Sequence, residues 1–218
     1  MIEEKLNTLK EKIIEMAVLV ESMIEKSIKG LMERDKDLLL EVIEKEEKRV
    51  NDMEIEIEDM GMKFIGLYHP EAEYLRTSLM ILQINNDLER MGDEAVNISE
   101  SSIFLIERPS VKPLIDIPRM AEITIQMLKD SITSFVERKP ELAKEVCGRD
   151  DIVDSLRDQI YRELITYMMQ DPSTIERSLH LLRIARSLER IADLSTNLCE
   201  DVIFMVKGKV IKHHKEEI

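Results

Sequence analysis

The chain has no tryptophan, and its 218 residues include only two cysteines, six glycines, six prolines, four phenylalanines and four tyrosines. So little aromatic content argues against a β-sandwich core and for a helical one. Few glycines and prolines mean few turns and long elements. Cys147 and Cys199 stand far apart in sequence and form no CxxC pattern, so no disulfide framework is expected and a reducing compartment fits. The N-terminus, Met-Ile-Glu-Glu-Lys, has no apolar signal core, and no window reaches about 18 uninterrupted apolar residues. A cytoplasmic protein without a membrane span is the expectation. Positive charge is also short: 31 basic against 45 acidic residues leave a formal net charge of −14. A field of that sign repels phosphate backbones, which argues against direct nucleic-acid binding, and it favours cations and basic partner surfaces. There is no glycine-rich phosphate loop, no GxGxxG, no GxSxG and no HExxH. No Ser, Cys or His nucleophile with its base can be assembled from the spacing, and a non-enzymatic role is expected.

What the chain does have is helical periodicity. Hydrophobic residues make up 44% and charged residues 35%. Ile43, Val50, Met53, Ile57, Met60 and Phe64 form one apolar stripe; Ile84, Leu88, Met91, Ala95 and Ile98 form another, echoed by Ile184, Leu188, Ile191 and Leu198. No segment shows period-2 alternation. His69-Pro70 and Asp171-Pro172 are matching stops, with weaker breaks at Glu33-Arg34-Asp35 and Lys139-Pro140. A Pro-rich connection containing Pro109 and Pro113 divides the chain near its midpoint. The spacing predicts an all-α protein of two tandem three-helix bundles, six long helices related by internal duplication. The expected boundaries are 1–108 for the first bundle, 109–116 for the linker, 117–208 for the second bundle and 209–218 for a tail. Gly208 is the expected C-cap of the last helix. The fourteen methionines are expected to be adaptable core filling.

The duplication is explicit. Ser78 to Phe104 realigns on Ser178 to Phe204 without a gap, and each copy centres on Leu-Glu-Arg-x-x-Asp-x-x-x-Asn. A repeat of about one hundred residues exceeds the usual solenoid periods and reads as a duplicated small domain. Beyond apolar positions, the copies share an acidic stripe. Glu89, Asp93, Asn97 and Glu100 fall within roughly 80° on one helix face, away from the apolar stripe. Glu189, Asp193, Asn197 and Glu200 do the same. A second set, Glu47 with Asn51 and Asp150 with Asp154, aligns at an offset of 103. Each pair lies as far before its proline turn as Glu89/Asp93 or Glu189/Asp193 lies after it. In an antiparallel hairpin the two pairs should therefore meet at one height. Converging carboxylates need cations or must take up protons. Oxygen-only donors suit Mg²⁺, Mn²⁺ or Ca²⁺, with iron possible. The Glu-x-x-His signature of ferritin-like di-iron sites is missing. A single Glu-x-x-x-Asp is most often a solvated helix face, but duplication and matched height favour a metal or partner site. His180 has no repeated counterpart and is expected to be structural.

Together these features resemble the PhoU family, negative regulators of bacterial phosphate uptake and signalling. The resemblance rests on Glu89-Arg-Met-Gly-Asp93, Glu189-Arg-Ile-Ala-Asp193, Asp150-Asp-Ile-Val-Asp154 and the closing run from Glu200 to Gly208. It covers essentially the whole chain. It implies a cytoplasmic, often dimeric adaptor that binds divalent or multinuclear metal through Glu47, Asn51, Glu89, Asp93, Asn97, Asp150, Asp154, Glu189, Asp193 and Asn197. It also implies coupling between the ATPase subunit of a phosphate ABC transporter and a phosphate-responsive sensor histidine kinase, with membrane association through these partners only. Asn51 stands where the second bundle has Asp154, so the first site is expected to hold fewer or weaker metals. Arg90 and Arg190 are expected to orient the acids. The alternatives are a carboxylate-bridged metal store or metalloenzyme, and a helical scaffold whose acidic stripes serve solubility.

Overall fold

Three-residue and four-residue spacing of apolar side chains is obeyed almost throughout. A computed structural model describes residues 2–207. Among these residues every regular element is helical. The helices are α1 (Ile2–Glu33), α2 (Lys36–Glu41), α3 (Glu47–Tyr68), α4 (Ala72–Ile106), α5 (Asp116–Glu137), α6 (Pro140–Cys147), α7 (Asp150–Gln170) and α8 (Ile175–Lys207). A π-helical turn, Val42–Glu46, joins α2 to α3, so these form one arm; α6 and α7, separated only by 148–149, form its counterpart. The result is six arms in two three-helix bundles. Gly208, the tail 209–218 and its His213-His214 pair lie outside the described residues.

The breaks follow local chemistry. Asp35 caps α2, its carboxylate accepting from the backbone N–H of Asp37 and Leu38 at 3.0 and 3.2 Å. Asp171 accepts from the Ser173 N–H at 2.9 Å and opens the 3₁₀ turn Pro172–Thr174. Pro140 occupies the first turn of α6, where its missing N–H costs nothing. Arg34, His69 and Arg138 take the left-handed conformation at φ 57°, 45° and 55°. Glycine usually fills such sites, and this glycine-poor chain uses polar residues instead.

The bundles pack through equivalent helices. α4 lies along α8 and α1 along α5, which leaves α3 and α7 on the outside. One continuous apolar core results, from Leu9, Ile13 and Met23 in α1 through Ile84, Leu88 and Met91 in α4 to Ile184, Leu188 and Ile191 in α8. Met16, Met23, Met91, Met120 and Met127 are fully buried and fill it as expected. At Gly61 the helices come so close that an added Cβ would lie 2.6 Å from Leu82 Cδ2. Ion pairs join the bundles: Lys129 of α5 to Glu21 and Glu25 of α1 at 2.9 and 3.3 Å, and Arg190 of α8 to Glu94 of α4 at 3.1 Å. His180 stacks on Phe104 with ring centroids 3.9 Å apart, and Arg108 covers the same ring at 3.5 Å. Two planar groups that close to one centroid must occupy opposite faces of the ring. His180 is thus structural, and burial beside Arg183 and Arg108 lowers its pKa.

The connection between α4 and α5 is held from both sides. Arg34 donates to the Ile106 and Arg108 carbonyls at 2.6 Å each, and Arg177 donates to the Pro109 carbonyl at 2.8 Å. Lys112 is buried and paired with Asp116 at 3.3 Å and with Glu163. The proline-rich segment is a strap fixed to both bundles.

Candidate functional site: two acidic faces

Both acidic faces begin at a break in an outer arm. In the first bundle the π turn Val42–Glu46 ends just before Glu47. In the second, α6 ends at Cys147 and α7 restarts at Asp150. The 103-residue offset makes these two breaks equivalent. A π turn inserts a residue into the helical register and so re-aims the side chains that follow it. Lys26 anchors this turn through 2.7 Å and 3.0 Å bonds to the buried Glu46 and to Glu41.

On α4, Leu88, Met91, Ala95 and Ile98 are buried, whereas Glu89 is half-buried and Asp93, Asn97 and Glu100 are exposed. The acidic stripe therefore faces outward, as periodicity required. It meets the start of α3. Glu47 is raised in pKa by burial and then by the charges of Asp93 and Glu100. Glu89 is raised by burial, then by Asp93, Glu54 and Glu47, against Arg90. Asp93 is raised by burial and by Glu94. Asn51 is exposed on the same arm, and Asn97 donates to Glu94 at 3.1 Å.

The second face repeats this on α7 and α8. Asp193 is pushed up to about 6 by burial first, then by Glu189, Asp150 and Asp154, with Arg157 opposing. Asn197, Asp193 and Glu189 line a cleft of about 320 Å³ with Arg90, Arg186 and Arg190. The paired heights expected from the two proline turns are thus found in both bundles.

The chain matches the PhoU domain model twice, over residues 13–102 and 117–202. The chain belongs to the PhoU family. It is 43% identical over 210 residues to the phosphate-specific transport system accessory protein PhoU homolog of Aquifex aeolicus, covering 96% of this chain and 95% of that one. It is 36% identical over 218 residues to PhoU homolog 2 of Thermotoga maritima, covering 100% and 92%. The crystal structure of PhoU from Pseudomonas aeruginosa superposes with a TM-score of 0.92 at 30% identity, covering 96% of this chain and 100% of that one.

Within this PhoU fold the two faces are not electrostatic copies. Arg157 donates to Glu189 at 2.6 Å and lies 3.1 Å from Asp154, so the second face carries its own cation. By the 103-residue offset, the first bundle has Glu54 at that position. None of Glu47, Glu54, Glu89 and Asp93 makes an ion pair among the described residues. The first face is therefore the more strongly anionic, despite Asn51. Arg190 acts differently from expectation, while Arg90 still opposes the charge of Glu89. Arg90 pairs with Asp87 at 3.4 Å, and Arg190 crosses to Glu94 of the other bundle. Among the described residues, the guanidinium in direct ion pairs with acids of a PhoU motif is Arg157. An Arg three residues after Asp154 was the signal for it, and the matching Glu54 was the signal for its absence from the first face.

As a donor set, each face offers carboxylate and amide oxygens with no imidazole, which is the chemistry of a hard cation. As the side chains stand, no three His, Cys, Asp or Glu groups among the described residues close on one point to hold an ion. A shell would have to close by rotation of exposed or half-exposed carboxylates, at a cost in side-chain rotamer freedom that the bound cation must offset.

Proposed function

We propose that this chain is a non-enzymatic accessory regulator of a phosphate-specific transport system, working in the cytoplasm. It acts as an adaptor between the ATPase subunit of the phosphate transporter and a phosphate-responsive sensor kinase, and it restrains the starvation response when phosphate is plentiful. Membership of the PhoU family and the names carried by its relatives support the transport role. No helix among the described residues is long and apolar enough to cross a membrane; contact with the membrane through its partners is part of the proposal.

The observation that carries the site is the first acidic face: Glu47, Glu54, Glu89 and Asp93 gathered with no ion pair among the described residues and only the charge of Arg90 opposing them at Glu89. Such a group holds raised proton affinity until a divalent cation replaces the missing charge. We assign Mg²⁺, Mn²⁺ or Ca²⁺ to it, with Glu47, Glu89 and Asp93 as carboxylate donors and Asn51 and Asn97 as neutral oxygens. Asp150, Asp154, Glu189, Asp193 and Asn197 form the weaker second site, where Arg157 supplies part of the charge. A bound cation would leave open positions toward a partner's acidic or phosphate groups. Iron is the less suited occupant, because His180, stacked on Phe104, belongs to neither face. The metal-store or metalloenzyme reading is weakened on the same ground.

In a strain lacking its own copy, the wild-type chain is expected to restore repression of a phosphate-starvation reporter in phosphate-rich medium. Asp93→Asn with Asp193→Asn, expressed at the same level, is expected to leave the reporter on. Full repression by the double variant would assign the acids to solubility alone.

A further inference from the structure

Cys147 and Cys199 are 52 positions apart in sequence, yet the packing of α6 on α8 brings the two side chains to the same helix–helix contact. One distance places them. Cys147 Sγ lies 4.0 Å from the carbonyl oxygen of Thr196. A helical carbonyl points one turn toward the C-terminus, so an atom beside the Thr196 oxygen lies beside residue 199. Both cysteines are free; Cys147 is partly accessible, and Cys199 is buried. The two thiols therefore divide the work of an oxidisable pair, one facing solvent and one held behind it.

We propose that Cys147 and Cys199 form a reversible intramolecular disulfide under peroxide stress, tying α6 to α8. Hydrogen peroxide is the oxidant. The Cys147 sulfur displaces hydroxide from peroxide, forming Cys147–SOH and one water after proton uptake. The Cys199 thiol then attacks that sulfur, the S–S bond forms, and the sulfenic oxygen leaves as a second water. The two thiols lose two electrons and two protons; the peroxide is reduced to two waters. The sulfurs must close to about 2.0 Å. The segment that has to adjust is α6, two turns long and ending at Gly148, where even an added Cβ would meet nothing closer than 3.5 Å. The bond would fix the break that precedes Asp150, at the entrance to the second acidic face.

The test treats the native full-length chain with hydrogen peroxide, blocks remaining thiols after denaturation, and maps peptides without reductant. Expected are a linked peptide containing Cys147 and Cys199, loss of both alkylatable thiols, and recovery of both on adding dithiothreitol. The Cys199→Ser variant is expected to stop at Cys147 sulfenic or sulfinic acid, and Cys147→Ser to leave Cys199 reduced. Wild-type protein whose Cys147 over-oxidises while Cys199 stays alkylatable would overturn the proposal, as would protein in which both thiols survive.

Discussion

Titrating the chelator-treated chain with Mg²⁺ or Mn²⁺ is expected to raise its Tm, and the rise should depend on the acidic faces. A ligand at a hundredfold excess over its Kd stabilises by about 2.7 kcal/mol, and for a chain of this size that corresponds to roughly 5–10 °C. Asp93→Asn with Asp193→Asn should lose most of the rise and carry less metal by elemental analysis, with helicity unchanged. The two single substitutions should differ. Asp93 belongs to a face whose acids make no ion pair among the described residues, whereas Glu189 and Asp154 already share Arg157 at 2.6 and 3.1 Å. Asp93→Asn alone should therefore cost more metal than Asp193→Asn alone. Equal metal content in wild type and double variant would remove the metal assignment, and a larger loss from Asp193→Asn would reverse the ranking of the faces. Protons compete for the same oxygens, so affinity should fall as pH is lowered through the raised carboxylate range.

In the absence of metal, Asp193→Asn is expected to stabilise the protein at neutral pH. Asp193 titrates at about 6 in the folded chain against an ordinary value of 3.8. Between those values the native state holds more protons than the unfolded state, so stability falls as pH rises through this window and stays lower above it. Asn carries no charge and removes that slope. The whole shift would correspond to roughly 3 kcal/mol. Asp193 is exposed, and solvent screening reduces the usable part to about 1 kcal/mol, or about 2–4 °C in Tm. The variant should melt above wild type at pH 7.5, and the two should converge below pH 4. Saturating metal should narrow or invert the gap at neutral pH, because only wild type gains the ligand. A variant that melts below wild type at pH 7.5 without metal would mean that Asp193 is held by favourable contacts rather than crowded by like charge.

Much of this was legible in the sequence, because helical spacing and turn chemistry act locally. The apolar stripe Ile84–Leu88–Met91–Ala95–Ile98 is buried as read, and the stops at Asp35, His69, Arg138 and Asp171 fall where polar and proline residues marked them. The meeting of Glu47 with Asp93, and of Asp150 and Asp154 with Asp193, was legible because equal distances from a tight turn become equal heights in an antiparallel pair. What lies between the bundles was not legible. Arg190 looks like the guardian of its own Glu189 and Asp193, yet it reaches Glu94 on α4. Periodicity says which face a residue occupies and nothing about which distant helix covers that face. The same blindness hid the approach of Cys147 to Cys199. The π turn before Glu47 was hidden for another reason: Val42–Glu46 differs from an α-helix by one hydrogen-bond step, and no residue type signals that. The charge difference between the faces was accessible, since Glu54 and Arg157 occupy equivalent places, but only when cations as well as acids are aligned.

The central claim is that the acidic faces of this PhoU-family chain connect a phosphate transporter to its signalling partner. A pull-down from the native membrane fraction, with bound proteins identified by mass spectrometry, tests it most directly. Wild type is expected to recover a phosphate-transporter ATPase or a sensor kinase, and the Asp93→Asn/Asp193→Asn variant is expected to recover neither. Equal recovery by both would separate the partners from the acidic faces, and recovery of neither by wild type would contradict the adaptor role itself.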